Sequence, residues 1–151
     1  MLDSVNKTLI YAIGNPARGD DGFGPAVLKA LKKKHLPATE YQINYQLNIE
    51  DAELFSHYQL VVIIDAALAK GGLKLIELHA ENTDPHSTHA LSPSQVLALS
   101  QNLFQFNNRC WLLTTTGTQW DLGNELSDLV RADIDPACEL ITDLVCKEKI
   151  C

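Results

Sequence analysis

Residues 8–25, TLIYAIGNPARGDDGFGP, decide the fold. Thr8 to Ile13 is an apolar, β-branched run, as expected of a strand covered on both faces. Gly14 breaks it, and Asn15, Pro16, Gly19, Gly22 and Gly24 leave no room for a regular element. Pro25 suits the first turn of a helix, and Ala26, Val27, Ala30 and Leu31 then recur at helical spacing. A strand therefore runs into a glycine-rich loop, and the loop into a helix.

Asp20 and Asp21 stand in the middle of that loop. Adjacent like charges repel, so the pair needs water, a cation or hydrogen-bond donors around it. A generic Asp-Asp is more often a solvated turn in which one Asp caps the following helix. Three glycines close around this pair shift the balance, because glycine lets a backbone or a ligand come near.

Outward from the loop, Pro25 to His35 reads as a helix whose last turn carries Lys32, Lys33 and Lys34, with Pro37 beyond it. Tyr41 to Gln46 alternates as a short strand, and Glu50 to His57 forms a short helix. Gln59 to Ala66 is the most apolar segment and reads as a central buried strand. Asp65 ends it, at the carboxyl end of a parallel strand, where open α/β sheets keep their ligands. Taken alone, Asp65 is as readily a cap for the next turn.

Leu73 to His79 is a fourth strand. Only about seven residues separate it from the third, and a parallel crossover needs a dozen or more, so it runs antiparallel. The chain must then return to the other edge through Ala80 to Leu91. About twelve extended residues reach roughly 40 Å, more than the roughly 23 Å of such a strand. That returning segment holds His86 and His89, a His-x-x-His pair in a polar loop. Imidazole suits nickel and zinc, although an isolated pair of this kind is more often chance. Ser92 can cap the next helix, with Pro93 at its first position. Arg109 to Thr116 is a fifth strand, and Gly117 to Gly123 a loop at the same edge as Asp21 and Asp65. There Trp120 and Asp121 could line a cleft, or the indole could fold back on the core. A last helix starts near Leu126, and Pro136 should bend or divide it; residues 147–151 form a frayed tail.

The expected fold is thus a single three-layer α/β/α domain, residues 1–151, with a five-stranded mixed sheet whose fourth strand is antiparallel. Its 151 residues can bury a full core. A formal net charge of −7 speaks against a nucleic-acid or anionic-membrane surface. No apolar run approaches the roughly 18–20 residues of a membrane span, and the N-terminus lacks a secretory pattern. Four cysteines, Cys110, Cys138, Cys146 and Cys151, form neither Cys-x-x-Cys nor a disulfide framework, which points to reduced thiols and the cytoplasm. A monomer is expected.

The string IGNPARGDDGFGP, residues 13–25, resembles the N-terminal signature of the hydrogenase maturation endopeptidases. These trim a C-terminal extension from the large subunit of nickel–iron hydrogenases. In that family a strand ends in Gly-x-Gly-Asn or a variant, followed by an acidic-acidic-Gly-x-Gly group whose second acid is a metal ligand. Here that acid is Asp21, and Ala12 stands where the first glycine often does. The resemblance implies a second ligand in the Asp that ends the central strand, Asp65. It implies a third in a His just before a helix, which Thr88-His89-Ala90-Leu91 matches. Asp21, Asp65 and His89 are accordingly the expected metal-ligating and catalytic residues, with His86 at most a helper and Asp20 less important.

The resemblance further implies nickel carried in by the hydrogenase large-subunit precursor, whose peptide is cleaved nearby, with the metal acting as handle or Lewis acid. The alternative, of another class, is a nucleotide-binding or nickel-sensing module without protease activity. Against a dinucleotide site, Gly-x-Gly-x-x-Gly is absent, and Asp20 and Asp21 would repel a pyrophosphate.

Overall fold

A computed structural model describes residues 7–81 and 91–148. In chain order these form β1 (Thr8–Ile13), a 3-10 turn (Gly19–Gly22), α1 (Phe23–Lys32), β2 (Thr39–Asn44), α2 (Asp51–Phe55) and β3 (Leu60–Ala67). There follow β4 (Lys74–Glu77), α3 (Pro93–Phe104), β5 (Arg109–Thr116), α4 (Asp128–Ala132) and α5 (Ile134–Glu148). The five strands lie in one sheet in the order β2-β1-β3-β5-β4. β1 pairs in parallel with β2 and β3, and β3 with β5, whereas β4 runs antiparallel to β5. The mixed sheet expected from the short connection before β4 is the one that forms.

Strand alternation sorts the core into two layers. Ile10, Ala12, Leu60, Val62, Ile64 and Leu113 face one side, against Val27, Leu28 and Leu31 of α1 and Ile141, Leu144 and Val145 of α5. Leu9, Tyr11, Ile13, Val61 and Ile63 face the other, against Ala52 and Phe55 of α2 and Val96 and Leu97 of α3. β1 is buried at every position, which its unbroken apolar run required. Each such side chain contributes about 1.5–3 kcal/mol by leaving water. On this alternation Asp65 falls with Val61 and Ile63 on the α2/α3 side.

α3 begins as its sequence indicates. Ser92 Oγ accepts from Gln95 N (3.2 Å) while Gln95 Oε1 accepts from Ser92 N (2.8 Å), a reciprocal cap with proline at the first helical position.

Boundaries at α2, β3 and β4 shift by one or two residues from the sequence reading, and those of β2, α1 and the C-terminal helix differ as well. β2 spans Thr39–Asn44 rather than Tyr41 to Gln46, because its partner β1 ends at Ile13, opposite Asn44. Tyr45 and Gln46 have no strand left to pair with and leave the sheet. α1 starts two residues before Pro25 and stops at Lys32. The C-terminal helix divides ahead of Pro136: α4 stops at Ala132 and α5 starts at Ile134. Pro136 then sits in the first turn of α5, where a missing N–H costs nothing.

Candidate active site at the carboxyl edge of the sheet

The glycine-rich loop crosses the carboxyl ends of β1 and β3, and close approach explains its composition. A Cβ on Gly24 would lie 2.7 Å from Ile13 O and 2.8 Å from Ile64 O, so only glycine lets α1 start against both strand ends. Gly14 (φ +142°) turns the chain out of β1, and a Cβ there would lie 1.8 Å from Asp21 O. The backbone of Asp21 is thereby seated on the end of β1. Its half-buried carboxylate accepts a hydrogen bond from Asn15 N at 2.7 Å.

Asp65, at the end of the adjacent strand β3, is also half-buried. Its Oδ1 accepts from Ala66 N at 2.8 Å, a local bond of the capping kind. Burial nevertheless pushes its carboxyl up to about 7; the Ala66 N–H offsets part of this, and the charge of Asp21 adds to it. Asp21 and Asp65 are therefore within electrostatic reach of each other. Neither forms an ion pair with a lysine or arginine among the described residues.

Asp20 takes a different course. It is fully buried, and neither acid caps α1, whose N-cap is Gly22. Asp20 Oδ1 accepts from Ser127 N (2.7 Å). Asp20 Oδ2 accepts from Thr118 N (2.7 Å), Gln119 N (3.1 Å), Ser127 Oγ (2.9 Å) and Thr118 Oγ1 (3.3 Å). Burial alone would raise its pKa, but the backbone donors of Thr118, Ser127 and Gln119 prevail and hold it below the usual carboxylate range. Main-chain bonds reinforce the junction: Asp20 N to Gln119 O (2.8 Å), Gly19 N to Asn124 O (3.0 Å) and Gly123 N to Ala17 O (2.7 Å). The loop after β5 does sit at this edge, zipped to the first loop. Trp120 packs against the α1/α5 core, its ring close against Gly117, and so folds inward.

The segments leaving this edge carry exposed apolar side chains. Ile43, Tyr45 and Ile49 project at and beyond the end of β2, Leu68 beyond β3 and Leu122 beyond β5. A pocket of about 530 Å³, lined by Ile43, Asn44, Tyr45, Gln46 and Asn48, opens beside the loop; Gly14 N donates to Asn44 O at 3.0 Å. Beneath it the buried Tyr11 hydroxyl donates to Asp51 Oδ2 (2.7 Å) and accepts from Asn44 Nδ2 (2.9 Å). Asn48 N donates to the same Asp51 oxygen (2.7 Å), so the turn after β2 is held from below.

The sheet thus brings Asp21 and Asp65 together. His86 and His89 lie outside the described residues, in the segment between Glu81 and Leu91. Among the described residues no three His, Cys, Asp or Glu side chains group as a metal site. Cys110 and Cys138 are free thiols; burial raises the pKa of both, which makes them poor nucleophiles. Among the described residues, no helix is long and apolar enough to cross a membrane.

Neither a family model nor a curated relative matches the sequence. Solved structures do match. A NiFe hydrogenase maturation protease, HycI, from Thermococcus kodakarensis KOD1 superposes with a TM-score of 0.73 at 24% identity, covering 95% of this chain and 97% of its own. The hydrogenase maturating endopeptidase HybD from E. coli gives 0.70 at 18% identity, covering 94% and 93%. An endopeptidase from Escherichia coli gives 0.76 at 20% identity, also covering 94% and 93%. Over more than nine-tenths of its length, this chain carries the fold of the hydrogenase maturation proteases.

Proposed function

We propose that the protein is an endopeptidase that removes the C-terminal extension of a nickel–iron hydrogenase large-subunit precursor after nickel insertion. The observation that carries this reading is the acid pair. Asp21 is seated against the end of β1 and Asp65 ends the neighbouring β3. The charge of Asp21 raises the cost of ionising Asp65, and neither forms an ion pair with a lysine or arginine among the described residues. Such a pair favours a cation from outside. Two carboxylates and one imidazole, from His89, make a hard-to-borderline donor set with positions left open, suited to a nickel ion that arrives as part of the substrate.

In this reading the bound ion supplies Lewis acidity to the scissile carbonyl. The chain's own residues position it. Asn15 N–H fixes the Asp21 carboxylate, Ala66 N–H fixes that of Asp65, and His89 completes the set from the segment leading into α3. The apolar rim of Tyr45, Ile49, Leu68 and Leu122 suits a polypeptide substrate better than a small polar molecule. Asp20 and Asp21 at the start of α1 disfavour a phosphate there, which weighs against the nucleotide-binding alternative.

The test is cleavage of matched precursors. Purified protein should shorten a nickel-loaded large subunit at its C-terminus, seen as a mass loss, and leave the nickel-free precursor intact. Equal cleavage of both forms, or of neither, would overturn the proposal.

A further inference from the structure

We propose that Asp20 is the positioning residue of this site: its buried carboxylate locks the loop after β5 onto the first loop and thereby fixes where Asp21 points. The inference rests on the reading of Asp21 as an ion ligand and adds a residue that does not touch the ion.

Asp21 is clamped from two directions. On one side its backbone oxygen lies against Gly14, where any Cβ would collide at 1.8 Å. On the other, the preceding residue is tied down by five hydrogen bonds to its carboxylate and one from its own N–H. Between these anchors the Asp21 side chain has one well-supported direction, towards Asn15 N–H and the end of β3. Released from Thr118, Gln119 and Ser127, the turn at Gly19–Gly22 would keep Gly19 N to Asn124 O (3.0 Å) and local bonds such as Asp21 N to Arg18 O (3.1 Å).

The charge matters as well as the shape. Both carboxylate oxygens of Asp20 accept from backbone N–H groups, Oδ1 from Ser127 and Oδ2 from Thr118 and Gln119. An asparagine has one acceptor oxygen and one NH₂ group, so in either orientation its NH₂ must face at least one of these N–H donors. Asp20→Asn therefore loosens the junction while changing almost no volume.

The experiment is amide hydrogen exchange on the whole chain, wild type against Asp20→Asn, together with nickel(II) titration of both by calorimetry. Asn15 N–H reports where the Asp21 carboxylate is, independently of any metal. Ile10 and Val62 report the core. The expected result is Asn15 exchange faster by about tenfold or more with Ile10 and Val62 unchanged. Nickel(II) affinity should be weaker by the roughly ten- to hundredfold typical of losing an outer-shell support.

Unchanged Asn15 exchange and nickel(II) affinity, with Thr118, Gln119 and Ser127 alone deprotected, would confine Asp20 to its own loop and overturn the proposal. So would a uniform loss of protection that includes the core. If Asp20→Asn does not fold, the double variant Thr118→Val, Ser127→Ala removes the two hydroxyl donors and should give the same signs at smaller size. Should wild type bind no nickel(II) and cleave no precursor while Asn15 still responds to Asp20→Asn, the proteolytic reading fails and the positioning role stands.

Discussion

Asp20 and Asp65 are two carboxylates withdrawn from water at the same edge of the sheet, and they have been treated in opposite ways. Asp20 is fully enclosed yet ionises more easily than a free carboxylate, because five donors converge on its two oxygens. Asp65 is pushed up to about 7, because burial outweighs the one N–H it accepts among the described residues and the charge of Asp21 adds to it. Burial raises both; at Asp20 the converging donors overcome it, and at Asp65 a single N–H does not. The first acid is finished within the chain and holds structure. The second stands beside Asp21, and neither of these two forms an ion pair with a lysine or arginine among the described residues.

The largest effects should separate these groups by function. Asp21→Asn, Asp65→Asn and His89→Ala should each cut precursor processing by at least the roughly hundredfold that loss of an outer-shell support can cost, since these groups are proposed to hold the ion directly. Asp21→Asn should unfold near the wild-type temperature, because a half-buried loop carboxylate is not core, and Asp65→Asn should unfold at or above it near neutral pH. A variant of Asp21 or Asp65 that keeps full processing would remove that residue from the site. Asp20→Asn should show the other pattern: the junction of the two loops opens locally through donors left unpaired while the core keeps its protection.

The same contrast predicts opposite pH dependences. Asp20 has a folded pKa below its ordinary value near 3.8, so its contribution is complete above that value and is lost as pH falls through the folded pKa. Asp65 has a folded pKa raised to about 7, so the folded state holds its proton longer than the unfolded chain does. Its ionisation therefore removes stability as pH rises from about 4 to about 7, on the order of 4 kcal/mol at most. Urea midpoints measured across this range should show Asp65→Asn gaining on wild type as pH rises. Asp20→Asn should instead flatten the acid limb below pH about 4. Parallel curves for Asp65→Asn and wild type would mean that Asp65 is better solvated than its setting implies. Nickel(II) affinity should fall as pH drops below about 7, because the ion competes with that proton.

What the sequence disclosed follows from how local each cause is. β1, β3 and β5 are legible because strands covered on both faces need uninterrupted apolar runs, and Thr8–Ile13 and Arg109–Thr116 kept their expected bounds. The direction of β4 followed from connection length alone. The end of β2 was not legible, because it is set by where β1 stops rather than by anything in residues 39–46. At the site, the repulsion between adjacent acids announced that each would need donors or a cation. It could not say which acid would take which. The donors to Asp20 come from Thr118, Gln119 and Ser127, about a hundred positions away, and nothing in the first loop marks them. Asp20 was expected to matter less than Asp21; that it binds the two loops together was not legible. The nearest signal was Ser127 before Asp128, which is a helix cap, with its Oγ 3.4 Å from Val130 N.

The smallest expected effect concerns the two histidines of residues 82–90. The alignment of Thr88-His89-Ala90-Leu91 with a ligand-bearing segment ahead of a capped helix assigns the ion to His89 and leaves His86 as an ordinary loop residue. One imidazole with Asp21 and Asp65 leaves coordination positions free for whatever already holds the ion in the substrate, and a second imidazole would take one of them. His86→Ala should accordingly change stability by no more than about 0.5 kcal/mol and processing by no more than about twofold, as a surface substitution does. His89→Ala, three positions on, should abolish processing. Thermal unfolding and the precursor mass assay on the two single variants decide the matter. If His86→Ala abolishes processing while His89→Ala keeps it, the ligand has been placed one His-x-x-His step too late, and the ion is then drawn from the other side of the segment.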